Sequence, residues 1–350
     1  MCGDFIFSQS ILNANGPGNT YEEINAFFAP GYTAVEAPDQ TPNGSHAAFG
    51  RHIDEIFDAN ANKFVFRFFS HINEDNDVST TSTDRIRVEV KTYASSPDNM
   101  KATLGEIVTY KWRFKLPTGF IPSTSFTHIH QIKAVDGDDS SPIFTLTPRK
   151  GTSGNPNKLE LVYTENQGSS AVVLTNSDLS LFEDTWVEVT ETILYSTTSG
   201  SIEINIKNVS TNTSLLSYSN ANISTFRPDN TFVRPKWGIY RRVANSSGVP
   251  ISGLRDEEVL FSDFSVIEGA LESTSFDFDS KILKTNVIEN FLEFVFADEQ
   301  LKEFTLYNNM GLEVKKIMVN TGEKINIEAL ASGTYFLKSR NGQTARFVKK

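Results

Sequence analysis

From Lys63 to about Ile267 the sequence runs as a succession of short apolar–polar alternations broken by turn residues. The segments are Phe64–Phe69, Arg85–Tyr93, Ile107–Leu116, Thr127–Val135, Ile143–Thr147, Leu159–Tyr163, Trp186–Tyr195, Ser201–Lys207 and Phe261–Ile267. Clusters such as Ser153-Gly154-Asn155-Pro156-Asn157 separate them. Successive side chains of a strand point to opposite faces, so each segment offers one face to a core and one to water. Many short strands with little helical periodicity predict an all-β fold, a two-sheet sandwich of the β-jelly-roll type. The 27 Phe and the frequent Thr, Ser and Val fit that choice.

The flanks read differently. Residues 1–62 are mixed, with turn chemistry at Gly16-Pro17-Gly18 and Pro42-Asn43-Gly44, and a short helix is expected from His52 to Asn60. The composition shifts after Glu268. Residues 269–284 read as a linker and 285–350 as a small β-sandwich module, with strands at Phe291–Phe296, Phe304–Asn308, Gly311–Val319, Lys324–Ile327, Thr334–Ser339 and Thr344–Val348. Asn341-Gly342 between the last two is a strong hairpin signal. Residues 1–268 then form the jelly-roll domain.

Composition excludes several classes. No run approaches the roughly 18 apolar residues of a membrane span. Met1-Cys2-Gly3-Asp4 is not followed by the apolar stretch of a signal peptide, so either the signal is removed or the chain is cytosolic. Cys2 is the single cysteine, which rules out internal disulfides and thiolate metal clusters. A net charge of −11 argues against nucleic acid as partner. It leaves an anionic ligand open, because local charge on one face steers ligands more than net charge does. A monomer is expected. Asp136-Gly137-Asp138-Asp139 has the composition of a calcium loop without the terminal Glu of an EF-hand, so a structural Ca²⁺ is the one ion allowed for and no cofactor is required. Asn-x-Ser/Thr sequons at Asn43, Asn208, Asn212, Asn222 and Asn245 read as polar loops. Glu188 and Glu191 fall on opposite faces of their strand and make a poor carboxylate pair for a glycosidase.

Three alternating segments carry the chemistry. In Arg85-Ile86-Arg87-Val88-Glu89-Val90-Lys91, one face holds Arg85, Arg87 and Glu89 and the other is apolar. In Lys236-Trp237-Gly238-Ile239-Tyr240-Arg241-Arg242, Lys236, Tyr240 and Arg242 stand apart from Trp237 and Ile239. In His128-Ile129-His130-Gln131-Ile132-Lys133, regular alternation groups Ile129 with Gln131 and Lys133, and His128 with His130. Together they predict a concave cationic groove suited to an anionic polymer. The middle segment offers two bases, Lys133 on one face and His130 on the other, and a β-bulge would bring both sets to the rim.

Such a groove suits β-elimination on a uronic-acid polysaccharide. A cation or donor neutralises the carboxylate, a base takes the C5 proton, and an acid protonates the departing oxygen. Arg fits a carboxylate, Lys serves as base when its pKa is depressed, and Tyr serves as acid beside cations. The three strands resemble the β-jelly-roll polysaccharide lyases. Alginate lyases of that type carry Arg-x-Glu, Gln-Ile-His and Lys-x-Gly-x-Tyr strands. The counterparts are Arg85-Ile86-Arg87-Val88-Glu89, Gln131-Ile132-Lys133 and Lys236-Trp237-Gly238-Ile239-Tyr240. Lys133 stands where those enzymes have a catalytic His. A Lys base with a Tyr acid and an Arg neutraliser is similar to the family 28 ulvan lyases. The resemblance spans roughly residues 63–267. It implies Lys133 as base, Tyr240 as acid and Arg87 as neutraliser, with Arg85, Gln131, Lys236, Arg242 and His128 on flanking sugars or sulfates. Ulvan is the implied substrate. Glucuronan or alginate is the rival within the class, and a non-catalytic carbohydrate-binding jelly roll the rival outside it.

The tail resembles the C-terminal sorting domain of the Bacteroidetes type IX secretion system. The matching residues are Leu306-Tyr307-Asn308-Asn309-Met310-Gly311, Ile325-Asn326-Ile327, Leu330, Ser332-Gly333-Thr334-Tyr335-Phe336-Leu337 and Phe347-Val348-Lys349-Lys350. The resemblance implies a secreted or cell-surface protein that meets the secretion machinery through residues 285–350.

Overall fold

The structure is a computed structural model, and it describes residues 10–40, 46–77, 82–268, 282–285, 287–295, 301–308, 313–339 and 344–350. The turn at Pro42-Asn43-Gly44, most of the linker, residues 309–311 and the Asn341-Gly342 pair lie outside them.

The first of two compact units runs from Met1 to Ala270. Its elements are β1 (Ser10–Leu12), α1 (Thr20–Phe28), β2 (Val35–Glu36), β3 (Ile53–Asp58), β4 (Lys63–Ser70), β5 (Arg85–Lys91), β6 (Ile107–Lys115), β7 (Thr127–Val135), β8 (Phe144–Arg149), β9 (Lys158–Tyr163), β10 (Val172–Asp178), β11 (Val187–Leu194), β12 (Gly200–Asn208), β13 (Ser214–Ile223), β14 (Phe232–Arg242) and β15 (Glu257–Glu268). One antiparallel sheet has the order β13-β12-β11-β6-β15-β4-β3, with β1 on β15. The other has the order β10-β9-β8-β7-β14-β5-β2. The fold is all-β, with the two sheets stacked as in a jelly roll.

The inner faces supply the core. Trp112, Phe114, Phe261 and Phe264 of the first sheet meet Trp237, Ile132, Val88 and Val90 of the second, all essentially buried. The Trp237 ring lies 5.2 Å from Phe264 and 6.4 Å from Tyr110. This apolar layer backs the second sheet and leaves its other face turned away from the core.

Two local expectations fail. Residues 53–58 are the strand β3, not a helix, because Ile53-Asp54-Glu55-Ile56 completes the edge of its sheet by pairing with β4. The helix lies earlier, at α1, where Tyr21, Ile24 and Phe28 recur at helical spacing and are buried. Strands β10 and β13 also escaped notice, since their Ser, Asn and Thr content resembles loop.

The second unit runs from Leu271 to Lys350. Its strands are β16 (Val287–Ile288), β17 (Phe291–Glu293), β18 (Lys302–Asn308), β19 (Glu313–Val319), β20 (Lys324–Asn326), β21 (Gly333–Ser339) and β22 (Thr344–Lys349). They form a sheet of order β16-β22-β21-β18-β19 and a pair β17-β20. A separate core gathers Leu292, Phe294, Phe304, Leu306, Leu337 and Phe347.

Candidate active site

The three chemistry-bearing segments become adjacent strands at the middle of the second sheet, in the order β7-β14-β5. The register sets the rows of the groove. Tyr240 lies opposite Arg87 on one side and His128 on the other. Lys236 lies opposite Lys91 and Gln131. Arg234 lies opposite Lys133.

A β-bulge on β14 decides which histidine reaches the groove. Trp237 pairs with His130 and Tyr240 with His128, so three positions of β14 answer two of β7. The extra residue is Gly238, at φ +146°, where a Cβ would lie 2.1 Å from the Val88 carbonyl oxygen. Ile129 and His130 consequently both turn to the core. This corrects two expectations from regular alternation: Ile129 leaves the polar face, and His128 joins it. His130 is 2% exposed, its ring 5.0 Å from Trp112 and 5.3 Å from Trp237. Its Nδ1 contacts the Lys236 carbonyl oxygen at 2.9 Å and its Nε2 the Glu191 carboxylate at 2.9 Å. Both ring nitrogens are thus committed below the sheet, away from any groove ligand.

The floor is an ion-paired lattice, not a bare cationic face. Arg87 donates to Asp77 at 2.9 and 3.1 Å and to Glu89 at 2.7 Å, which uses three of the five N–H groups of a guanidinium. Lys236 contacts Glu36 at 2.6 Å and Glu89 at 2.8 Å, Lys91 contacts Glu36 at 2.5 Å, and the Gln131 amide donates to Glu89. Burial of Lys236 and Glu89 demands such pairing. Burial opposes the charge on Arg87, but Glu89, Asp77 and Glu36 outweigh it and hold its pKa above the usual range. Burial likewise works against the Glu36 carboxylate, yet Lys236, Arg87 and Lys91 keep it well below the usual range. At one end Arg85 and Arg242 share Asp84, at 2.8 Å each.

Against this compensated background two groups stand out. Lys133 is half-buried, and its ammonium donates to the Asp139 carbonyl oxygen. Burial brings its pKa down to about 8; Asp139 works against the fall, while Lys236, Arg234 and Arg87 add to it. Tyr240 accepts a hydrogen bond from Arg85 and donates to Asp77, both at 3.2 Å, under the Arg87 guanidinium 3.7 Å from its ring. Burial raises its pKa, with Arg87 and Arg85 opposing. Lys133 therefore points toward the turn beyond Val135, and Tyr240 toward the Asp77–Arg85 end. His128, 6.0 Å from the Tyr240 ring, rests on Thr147 at 2.8 Å. Burial and then Arg149, Arg87 and Lys236 push its pKa down to about 3, so it is neutral and a weak base.

Arg234 went unnoticed in the sequence. It donates to the Thr92 carbonyl oxygen at 3.0 Å and lies 5.7 Å from the Tyr93 ring, while its buried Nε has no hydrogen-bond partner among the described residues. The signal was available, since Arg234 continues the alternation of Lys236 and Tyr240. In the calcium-like loop, the Thr231 hydroxyl bonds Asp136, and Asp138 Oδ2 accepts from the Gln167 backbone N–H at 2.8 Å while its Oδ1 is buried with no hydrogen-bond partner among the described residues. A depression of about 330 Å³ lined by Lys63, Arg113 and Trp186 belongs to the other sheet and does not touch the groove.

Residues 286–350 match the secretion system C-terminal sorting domain. The chain is addressed for type IX secretion, to the cell surface or beyond it. No described helix is long and apolar enough to cross a membrane. No curated protein matches the sequence. Among solved structures, the chain is similar to the endo-β-1,4-glucuronan lyase of the fungus Trichoderma reesei, at 15% identity over 69% of this chain and 92% of that one, with a TM-score of 0.48. It is similar to the exolytic alginate lyase AlyA5 of Zobellia galactanivorans, at 8% identity over 67% and 94%, with a TM-score of 0.45. An alginate lyase of Pseudomonas aeruginosa gives 13% identity over 66% and 96%, with a TM-score of 0.40.

Proposed function

We propose that this chain is a secreted polysaccharide lyase that cleaves an anionic, uronate-containing polysaccharide, ulvan first, by β-elimination. The observation that carries the reading is the Lys133–Arg234 pair: an amine whose pKa lies near 8 stands opposite a guanidinium across the pairing of β7 with β14. A uronate carboxylate held by Arg234 and Gln131 would place its C5 proton beside Lys133. Lys133 takes that proton, the C5–H electron pair becomes the C4–C5 double bond, and the C4–O4 bond breaks. Tyr240, kept protonated by its raised pKa, donates to the departing O4. Arg87 then acts chiefly by stacking on Tyr240 and fixing the phenol, since Asp77 and Glu89 take most of its donors.

A second reading has its own observation. Lys133 and Tyr240 lean toward opposite ends of the groove, which a non-catalytic polysaccharide-binding face would tolerate and a lyase must reverse on binding. A panel of ulvan, glucuronan and alginate decides between them. A lyase makes a product absorbing near 235 nm, from the new double bond, on at least one of them. Binding to the panel without any rise in absorbance would leave the non-catalytic reading standing.

A further inference from the structure

Three of the five histidines in the chain lie together outside the groove. His46 precedes β3 in the chain, His52 abuts its start, His71 follows β4, and Asp75 sits in the next turn. The imidazole centroids form a triangle with sides of 5.4, 4.9 and 5.3 Å. Asp75 stands among them, its Oδ1 3.0 Å from His46 Nδ1 and 3.0 Å from His52 Nε2, its Oδ2 3.2 Å from His71 Nδ1. One donor atom from each residue lies within 4.8 Å of all the others. Among the described residues this is the one such cluster.

We infer that His46, His52, His71 and Asp75 form a structural zinc site. Zinc bonds imidazole nitrogen at about 2.0–2.1 Å and carboxylate oxygen at about 2.0–2.2 Å, so a tetrahedral shell has edges of about 3.3 Å. Asp75 Oδ1 already stands 3.0 Å from two of the nitrogens and Oδ2 3.2 Å from the third, and with all four donor atoms within 4.8 Å of one another, binding must draw the widest pairs together by up to about 1.5 Å. An outer partner is already in place. His52 Nδ1 lies 3.0 Å from Asp39 Oδ1 and 3.0 Å from the Gly50 carbonyl oxygen, which reserves Nε2 for the ion. Tyr21 donates to the same Asp39 oxygen at 3.0 Å and accepts from the His52 amide at 2.9 Å. A divalent cation balances the Asp75 and Asp39 carboxylates, with the imidazoles neutral. Three nitrogens and one oxygen suit zinc and exclude calcium, which takes six to eight oxygens. Four protein ligands make a closed, structural shell.

The site reaches the groove through two residues of chain. Asn76 accepts a backbone hydrogen bond from Arg87 at 3.3 Å, and Asp77 holds both Arg87 and the Tyr240 hydroxyl. Zinc at Asp75 would pin the segment that orients them.

The test uses the full chain without an affinity tag. Elemental analysis after dialysis against Zn²⁺ and gel filtration should give about one zinc per chain. Chelation should lower Tm by roughly 5 °C or more, reversed by Zn²⁺. Co²⁺ exchange should give the intense visible bands of a tetrahedral site. His71→Ala and Asp75→Asn should each hold less than about a tenth of the wild-type zinc. Wild-type chain that retains no zinc, or melts at the same temperature with Zn²⁺ and with chelator, overturns the proposal. So does His71→Ala that binds zinc as the wild type does. These readouts do not depend on lyase activity, so a chain inactive on every polysaccharide would still be expected to carry the ion.

Discussion

If Lys133 is the base, only its neutral amine can take the C5 proton, and its pKa near 8 fixes the pH dependence. Taking that value, the neutral fraction is about 1% at pH 6, about 9% at pH 7 and about 91% at pH 9. The uronate stays ionised throughout, and the raised pKa of Tyr240 keeps the acid protonated at the upper end. Initial rates of double-bond formation, measured as kcat/KM, report groups on the free enzyme. They should climb about tenfold for each pH unit below 8, gain about tenfold from pH 7 to 9, and level off above. Lys133→Met should remove the limb and lower kcat/KM by about 100-fold or more. A limb centred near pH 6.5 would point to an imidazole instead. Either that limb, or a Lys133→Met enzyme within tenfold of wild type, would refute the assignment.

The remaining predictions concern the groove and the strand beneath it. Tyr240→Phe should lose about 100-fold or more in turnover while still binding the polymer, as measured by turnover against affinity electrophoresis. His130→Ala should cost about 3 kcal/mol in denaturant melts, because Glu191 loses its partner in the core, yet the folded protein should keep activity within about tenfold. Gly238→Ala should be destabilised by about 3 kcal/mol or more in the same melts, since its Cβ meets the Val88 carbonyl oxygen at 2.1 Å, and should lose activity as the Tyr240 row shifts.

Much of the fold could be read from period-two alternation, with β7 legible at both ends because apolar and polar residues switch cleanly there. The helix at α1 was missed because Glu22, Glu23 and Asn25 hide its apolar stripe in a short, turn-rich segment. The groove was legible as three strands, but not its phase. No regular strand can turn Ile129, His130 and Ile132 to the core while turning His128, Gln131 and Lys133 to the groove side, and the residue that resolves the conflict lies about a hundred positions away at Gly238. The pairing of the floor was invisible for a similar reason, because Glu36 and Asp77 come from distant segments that alternation does not link. The histidine cluster likewise joins two loops flanking β3 and β4, with no short spacing to announce it.

The ion-paired floor has a consequence for how a polymer arrives. Arg87, Lys91 and Lys236 face Glu36, Asp77 and Glu89, three positive charges against three negative ones. This inner lattice is electroneutral, and Lys133, Arg234 and the pair Arg85 and Arg242 on Asp84 leave the groove only a small local excess of positive charge, while the chain as a whole carries −11. A polyanion therefore approaches against repulsion and meets attraction only on arrival. Screening should help it in: the Debye length falls from about 30 Å at 0.01 M salt to about 10 Å at 0.1 M. Association measured by stopped flow should accelerate over that range, opposite to an enzyme that draws its substrate in by charge. A protein sent outside the cell with this groove is suited to brine.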